Sequence, residues 1–306
     1  MNKTFFGGLM ACLCAVTIWG AQFPIAKDVF IHVDSFHVTL IRYLVAAMIL
    51  TPILIFREGL GVLRFDGRPT LVASMGAMGM SFSPLMVFYG VSIAGAEHGS
   101  VVVALQPTIM MAVQWIFFKK RPARFTLLCI VIAFLGVVLV VTGGGGAHRK
   151  TADAVLGSVL ILAGGFCWIY YTLGTERLRG WSVLRITVLT ILCGTVANLI
   201  VTGVLVRAGW VPSPAWADYR AVAPQLSFLG ICGVSISMLA WNFGTRRVGP
   251  LNSMLLSNMM PVVTFTYRAV QGYRFESVEI VGAGIVVLSL VANNVYLRRQ
   301  FMRGSR

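Results

Sequence analysis

Arg42, Arg268 and the pair Glu97–His98 place ionisable groups in or beside long apolar runs. Such groups are costly at membrane depth, so each is a candidate for function. A guanidinium turned into a central cavity would pair bidentately with a carboxylate or phosphate. Either arginine could instead snorkel to the interface, since Arg42 sits only about five residues inside its helix. His98 offers a proton site, its ordinary pKa being near physiological pH, or simply an interfacial ring. Polar and aromatic groups at helical spacing supply a second kind of contact. Trp19 and Gln22 share one helix face, and Trp168 and Tyr171 match them further along. Ser81, Ser83, Tyr89, Gln106, Trp241, Asn242 and Asn258 add donors and ring faces. Each also has a plain packing or interhelical hydrogen-bond reading.

What is missing narrows the chemistry. Only ten acidic residues occur, and none interrupts the centre of a long apolar run. A cation antiporter needs a membrane carboxylate that alternates between proton and cargo, and Glu97 at a helix start is the nearest option. Neutral, zwitterionic or anionic cargo is therefore favoured over cations. The six cysteines form no CxxC and read as small core residues, so neither a disulfide frame nor a metal site is expected. No P-loop, HExxH, GxSxG or dinucleotide fingerprint occurs. Catalytic residues and cofactors are not expected, and transport would have to be secondary, facilitated or ion-coupled.

The elements that must position these residues are membrane helices. Of 306 residues, 58% are hydrophobic and 11% charged, with a mean hydropathy of +0.84. That composition marks an all-α polytopic membrane protein. The net charge of +15 is spread between apolar runs, which fits topology and anionic headgroups better than nucleic acid. Lys3 and the run through Trp19 lack a small-residue cleavage site, so the first segment reads as an uncleaved helix. The runs predict ten spans: 5–26, 37–56, 70–92, 96–118 and 124–142, then 155–174, 183–207, 224–245, 250–270 and 277–297. They divide the chain into a first repeat (1–142), a Gly-rich linker (143–153) and a second repeat with a short basic tail (154–306).

An internal echo supports the division. Gly79–Pro107 and Gly233–Pro261 align without gaps, 154 residues apart, through paired Gly, Ser and Pro positions. Gly8 and Trp19 recur as Gly157 and Trp168, 149 residues apart. If both termini face the cytoplasm, only Lys27, Arg149, Lys150, Arg207, Arg220 and Arg274 lie in outside segments. The positive-inside rule favours that orientation. Five helices per half is an odd number, so equivalent helices must run in opposite directions. The expectation is two inverted five-helix repeats. Pro107 and Pro261 each remove a backbone hydrogen bond and become hinges, or static kinks, in helices 4 and 9.

Several motifs resemble the EamA-type branch of the drug/metabolite transporter superfamily. They are Ala15–Trp19–Gly20 with Pro24, Arg42 in LIRYLVAA, Pro107 before the charged turn Lys119–Pro122, its echo at Pro261, and Gly136 and Gly282 in the fifth and tenth runs. The chain departs from the family where Lys120 and Arg274 stand near the usual Gly-Glu. The resemblance implies transport of amino acids, other small metabolites, sugars or drugs. The leading expectation is an alternating-access exporter of amino acids or similar metabolites in a bacterial-type inner membrane, partnered by its solute and the bilayer. Proton coupling and oligomeric state stay open. Drug or cation export is the alternative; a lipid-modifying membrane enzyme or a non-transporting receptor stands further off.

Overall fold

The computed structural model describes residues 3–119, 123–143 and 151–304, and all regular structure in them is helical. Residues 120–122 of the expected charged turn and 144–150 of the expected linker lie outside the described residues. Apart from short turns at Leu60–Leu63, Glu176–Leu178 and Trp216–Ala221, the helices in chain order are α1 (Lys3–Val29), α2 (Ser35–Glu58), α3 (Pro69–Ala94), α4 (Ala96–Val103 continued by Gln106–Phe118) and α5 (Arg124–Gly143). The second set is α6 (Thr151–Thr175), α7 (Val183–Arg207), α8 (Ala223–Val248), α9 (Pro250–Leu256 continued by Met259–Val270) and α10 (Ser277–Gly304). Seven of them, α1–α4 and α6–α8, are long and apolar enough to cross a bilayer. In α5 and α10 the qualifying apolar stretches are shorter, Arg124–Gly136 and Ser277–Asn293.

Local chemistry explains the boundaries. Asp34 caps α2 by accepting from the Phe36 and His37 amides at 2.9 and 3.1 Å. Gly95 and Gly249 turn the chain between α3 and α4 and between α8 and α9 at φ values of 96° and 86°. That region disfavours any side chain with a Cβ. The interruptions of α4 and α9, at Ala104–Leu105 and Ser257–Asn258, lie a few residues before Pro107 and Pro261. A proline clashes with the carbonyl four residues back, which accounts for both.

Two π-helical turns, Gly76–Phe82 in α3 and Ile231–Ile236 in α8, stand at equivalent places in the two halves. Such a turn widens the hydrogen-bond ladder and frees carbonyls for side chains. In α3 the Met80 carbonyl accepts from Asn198 Nδ2 at 3.0 Å. In α8 the Gly233 carbonyl accepts from Trp19 Nε1 at 3.1 Å and from Ser237 Oγ at 2.6 Å.

Packing pairs helices from opposite halves. α3 lies along α6, α1 along α8, α2 along α7 and α5 along α10. The first half of α4 meets the second half of α9, and the second half of α4 meets the first half of α9. Glycines permit the close approaches. A Cβ on Gly90 would sit 2.7 Å from the Gly157 carbonyl oxygen, and one on Gly244 would sit 2.7 Å from that of Gly8. Loop contacts tie the α2–α3 and α6–α7 connections together. Glu58 accepts from Ser182 Oγ at 2.7 Å, and Arg185 donates to Asp66 at 2.6 Å and to the Arg64 carbonyl at 2.7 Å.

Candidate functional site

Where α1, α2, α3, α4, α6, α8 and α9 converge they leave a cavity of about 70 Å³. Trp19, Gln22 and Phe23 face it from α1, Arg42 and Tyr43 from α2, and Gly79, Ser83, Pro84, Val87 and Phe88 from α3. Val103 and Gln106 of α4, Trp168 of α6, Gly233 and Met238 of α8, and Met260 of α9 complete the lining. Both π turns touch it, through Gly79 and Gly233, and among the described residues no carboxylate lines it. Drug-sized ligands occupy pockets of about 300–1,000 Å³, so a solute of that size enters only if the helices move apart.

Arg42 is the dominant charge. It is 3% exposed, and its guanidinium lies 4.2 Å from the centre of the Phe88 ring and 5.6 Å from that of Tyr43. The helix rotation thus turns it inward, away from the snorkelling path. Among the described residues its Nε and Nη1 have no hydrogen-bond partner, nor do the side-chain oxygens of Gln22 and Gln106. Each unsatisfied buried polar group costs about 1–3 kcal/mol, more when charged. A cation and two amide carbonyls left open around one cavity are the donor and acceptors that a solute would use.

The lining is also aromatic at α1 and α6. Trp19, Trp168 and Trp241 form a cluster with ring centres 5.1–5.8 Å apart, and Tyr171 extends it from Trp168 at 5.3 Å. Tyr171 and Trp241 are fully buried behind the lining. Asn242 donates to Tyr171 OH at 2.7 Å and to Thr187 Oγ1 at 2.8 Å, which locks this layer to α7. The matched pairs Trp19/Gln22 and Trp168/Tyr171 meet matched glycines. A Cβ on Gly79 would fall 2.5 Å from Tyr171 Cβ, and one on Gly233 would fall 3.1 Å from Gln22 Oε1. Changing Trp19 to Phe keeps the ring but leaves the Gly233 carbonyl without its indole donor. Thermal unfolding in detergent should register a loss of about 1 kcal/mol.

The other sequence candidates lie elsewhere. Ser81 is buried away from the cavity, with no partner for its hydroxyl. Tyr89 is 38% exposed and packs on Phe36. His98 Nε2 is 2.8 Å from Ser158 Oγ, whose hydroxyl donates to the Ala154 carbonyl at 2.8 Å. Asn258 is buried at the interruption of α9 with both side-chain polar atoms unpartnered. Arg268 is held by Glu97, its Nε donating to Oε1 at 2.5 Å. Sequence reading missed Tyr43 and Phe88, because an aromatic in an apolar run carries no sign of which neighbour it faces.

Comparison with known proteins decides the family. The model of the EamA-like transporter family matches residues 6–142 and again 155–295. The chain belongs to the EamA-like transporter family. This EamA-like protein is 30% identical over 299 residues to an uncharacterised transporter, YrdR, of Bacillus subtilis (strain 168), covering 96% of this chain and 93% of that one. It is 23% identical to a probable terminal-alkyne amino-acid exporter of Streptantibioticus cattleyicolor, over 83% of this chain and 81% of the relative. A solved crystal structure superposes with a TM-score of 0.66 at 20% identity, covering 97% of this chain and 99% of that one, which shows a shared fold. The protein is a multi-pass membrane transporter and not an enzyme.

Proposed function

We propose that this EamA-like protein is a secondary exporter of small carboxylate-bearing solutes, amino acids foremost, working by alternating access in a bacterial-type inner membrane. One observation carries the reading: among the described residues Arg42 is buried and unpaired, and it faces a cavity without a carboxylate. Low-dielectric walls focus that charge on whatever enters, which favours a carboxylate and repels a cation. The open Gln22 and Gln106 oxygens would accept from an ammonium, and the indoles would hold an apolar or cationic portion. Zwitterions fit all three features; cationic drugs do not. The name of the Streptantibioticus cattleyicolor relative points to the same cargo class.

The reading includes ten membrane spans in two inverted repeats, 1–142 and 154–306 joined at 143–153, with both termini cytoplasmic. Its support is the doubled family match, the exchange of helix contacts between halves, and the recurrence of π turns and helix interruptions. The interrupted helices α4 and α9 flank the cavity and supply the compliant elements for rocking. In a thermal-shift screen of the purified protein, amino acids should raise the midpoint in proportion to the logarithm of concentration. Stabilisation only by cationic drugs would reverse the cargo assignment.

A further inference from the structure

A buried ion pair sits apart from the cavity. Glu97, in the first turn of α4, is 4% exposed. Its Oε1 accepts from Arg268 Nε at 2.5 Å, and its Oε2 lies 4.0 Å from Lys27 Nζ. Arg268 also donates through Nη1 to Gln271 Oε1 at 3.0 Å and lies over the Tyr273 ring at 4.7 Å. Gln271 Nε2 in turn reaches Asp28 Oδ2 at 3.5 Å. The cluster therefore joins the last turn of α1, the first turn of α4 and the last turn of α9. α4 and α9 are the two interrupted helices, and they come from opposite halves.

The internal repeat shows that this cluster is one-sided. Shifted by 149 residues, Lys27 corresponds to Glu176; shifted by 154, Glu97 corresponds to Leu251 and Arg268 to Gln114. At the equivalent end the Glu97–Arg268 pair itself has no counterpart, since Leu251 and Gln114 stand there. The pair that Glu176 makes is a surface contact with Arg179 three residues along the same turn and joins no two helices. There the aromatic layer is closed by the neutral Asn242–Tyr171–Thr187 contacts instead. A scaffold repeated in its glycines, prolines and π turns departs from repetition where α1, α4 and α9 close on one another.

We propose that the Glu97–Arg268 pair, flanked by Lys27, is the gate that closes the outer end of the transport path and must break whenever the cavity opens outward. The assignment of this end to the outside rests on the topology proposed above. Removing one partner of a buried pair leaves the other charge uncompensated, so neutralising Glu97 also sets Arg268 against Lys27. The closed state then loses its clasp while the cavity keeps its lining.

The test uses Ser83→Cys as a cavity reporter in an otherwise cysteine-free full-length chain, in right-side-out membrane vesicles. Labelling by a membrane-impermeant maleimide from outside should be slow in this background. Glu97→Gln and Arg268→Gln should each speed it about tenfold, the response to a modest shift between closed and open populations. The double change Glu97→Arg with Arg268→Glu should restore slow labelling. Lys27→Gln serves if either single variant is not recovered folded, and should speed labelling in the same direction. Unchanged rates in the single variants, a double variant as fast as the singles, or acceleration only in inside-out vesicles would each overturn the gate. Since no cargo is needed, this outcome is separate from the cargo assignment.

Discussion

Replacing Arg42 by Gln weakens binding of carboxylate-bearing solutes about 10- to 100-fold, as expected for losing hydrogen bonds to a charged group, about 1.5–3 kcal/mol. Among the described residues the guanidinium is the one charge on the cavity wall, and its Nε and Nη1 are uncommitted. A bound carboxylate would therefore take up donors that are otherwise unsatisfied. The Phe88 ring packs against the guanidinium, its centre 4.2 Å away. Arg42→Lys keeps the charge but not the planar fork, so its affinity should fall between the other two. Calorimetric titration with the best-binding amino acid and its uncharged amide measures the effect. Equal losses for acid and amide would remove Arg42 from carboxylate recognition.

The second large effect is structural. Gly90→Leu in α3 and Gly244→Leu in α8 should each prevent recovery of folded protein. At both sites the added Cβ meets backbone, the Gly157 and Gly8 carbonyl oxygens at 2.7 Å, which cannot rotate aside. Overpacking costs about 1–3 kcal/mol where side chains yield, and more where the backbone must part. Gly203→Ala in α7 is the control, since no atom lies within 4 Å of its added Cβ. It should leave stability unchanged or raise it by about 0.5–1 kcal/mol. Size-exclusion profiles and unfolding midpoints in detergent distinguish these outcomes. A folded, monodisperse Gly90→Leu protein would mean that α3 and α6 are not held in close contact.

Much of this architecture was legible in the sequence because hydropathy and proline act locally. The observed helix limits fall within a few residues of the apolar runs, except that α10 continues past 297 to Gly304, and the interruptions of α4 and α9 follow from Pro107 and Pro261. The recurrence of Trp19 as Trp168 was legible in their common spacing from Gly8 and Gly157, but not that α1 packs along α8 and α6 along α3 while the two indoles meet. Helix rotation was not legible: at position 42 an arginine could point to the interface or inward, and only packing against Phe88 and α3 selects one. The π turns also left no trace beyond the echo of Gly79 and Ser81 at Gly233 and Ser235, since a widened ladder is set by neighbours such as Asn198 and Trp19. Likewise Glu97 and Arg268 stand 171 residues apart, and nothing in either local run names the other.

The central claim is that this EamA-like protein moves carboxylate-bearing solutes through the Arg42 cavity without a nucleotide. Counterflow in proteoliposomes preloaded with an unlabelled amino acid tests it most directly. Each of a panel of radiolabelled amino acids is then added outside. Saturable accumulation of at least one amino acid is expected, abolished by Arg42→Gln and absent from protein-free vesicles. No accumulation above protein-free vesicles for any amino acid, or accumulation undiminished in Arg42→Gln, would contradict it.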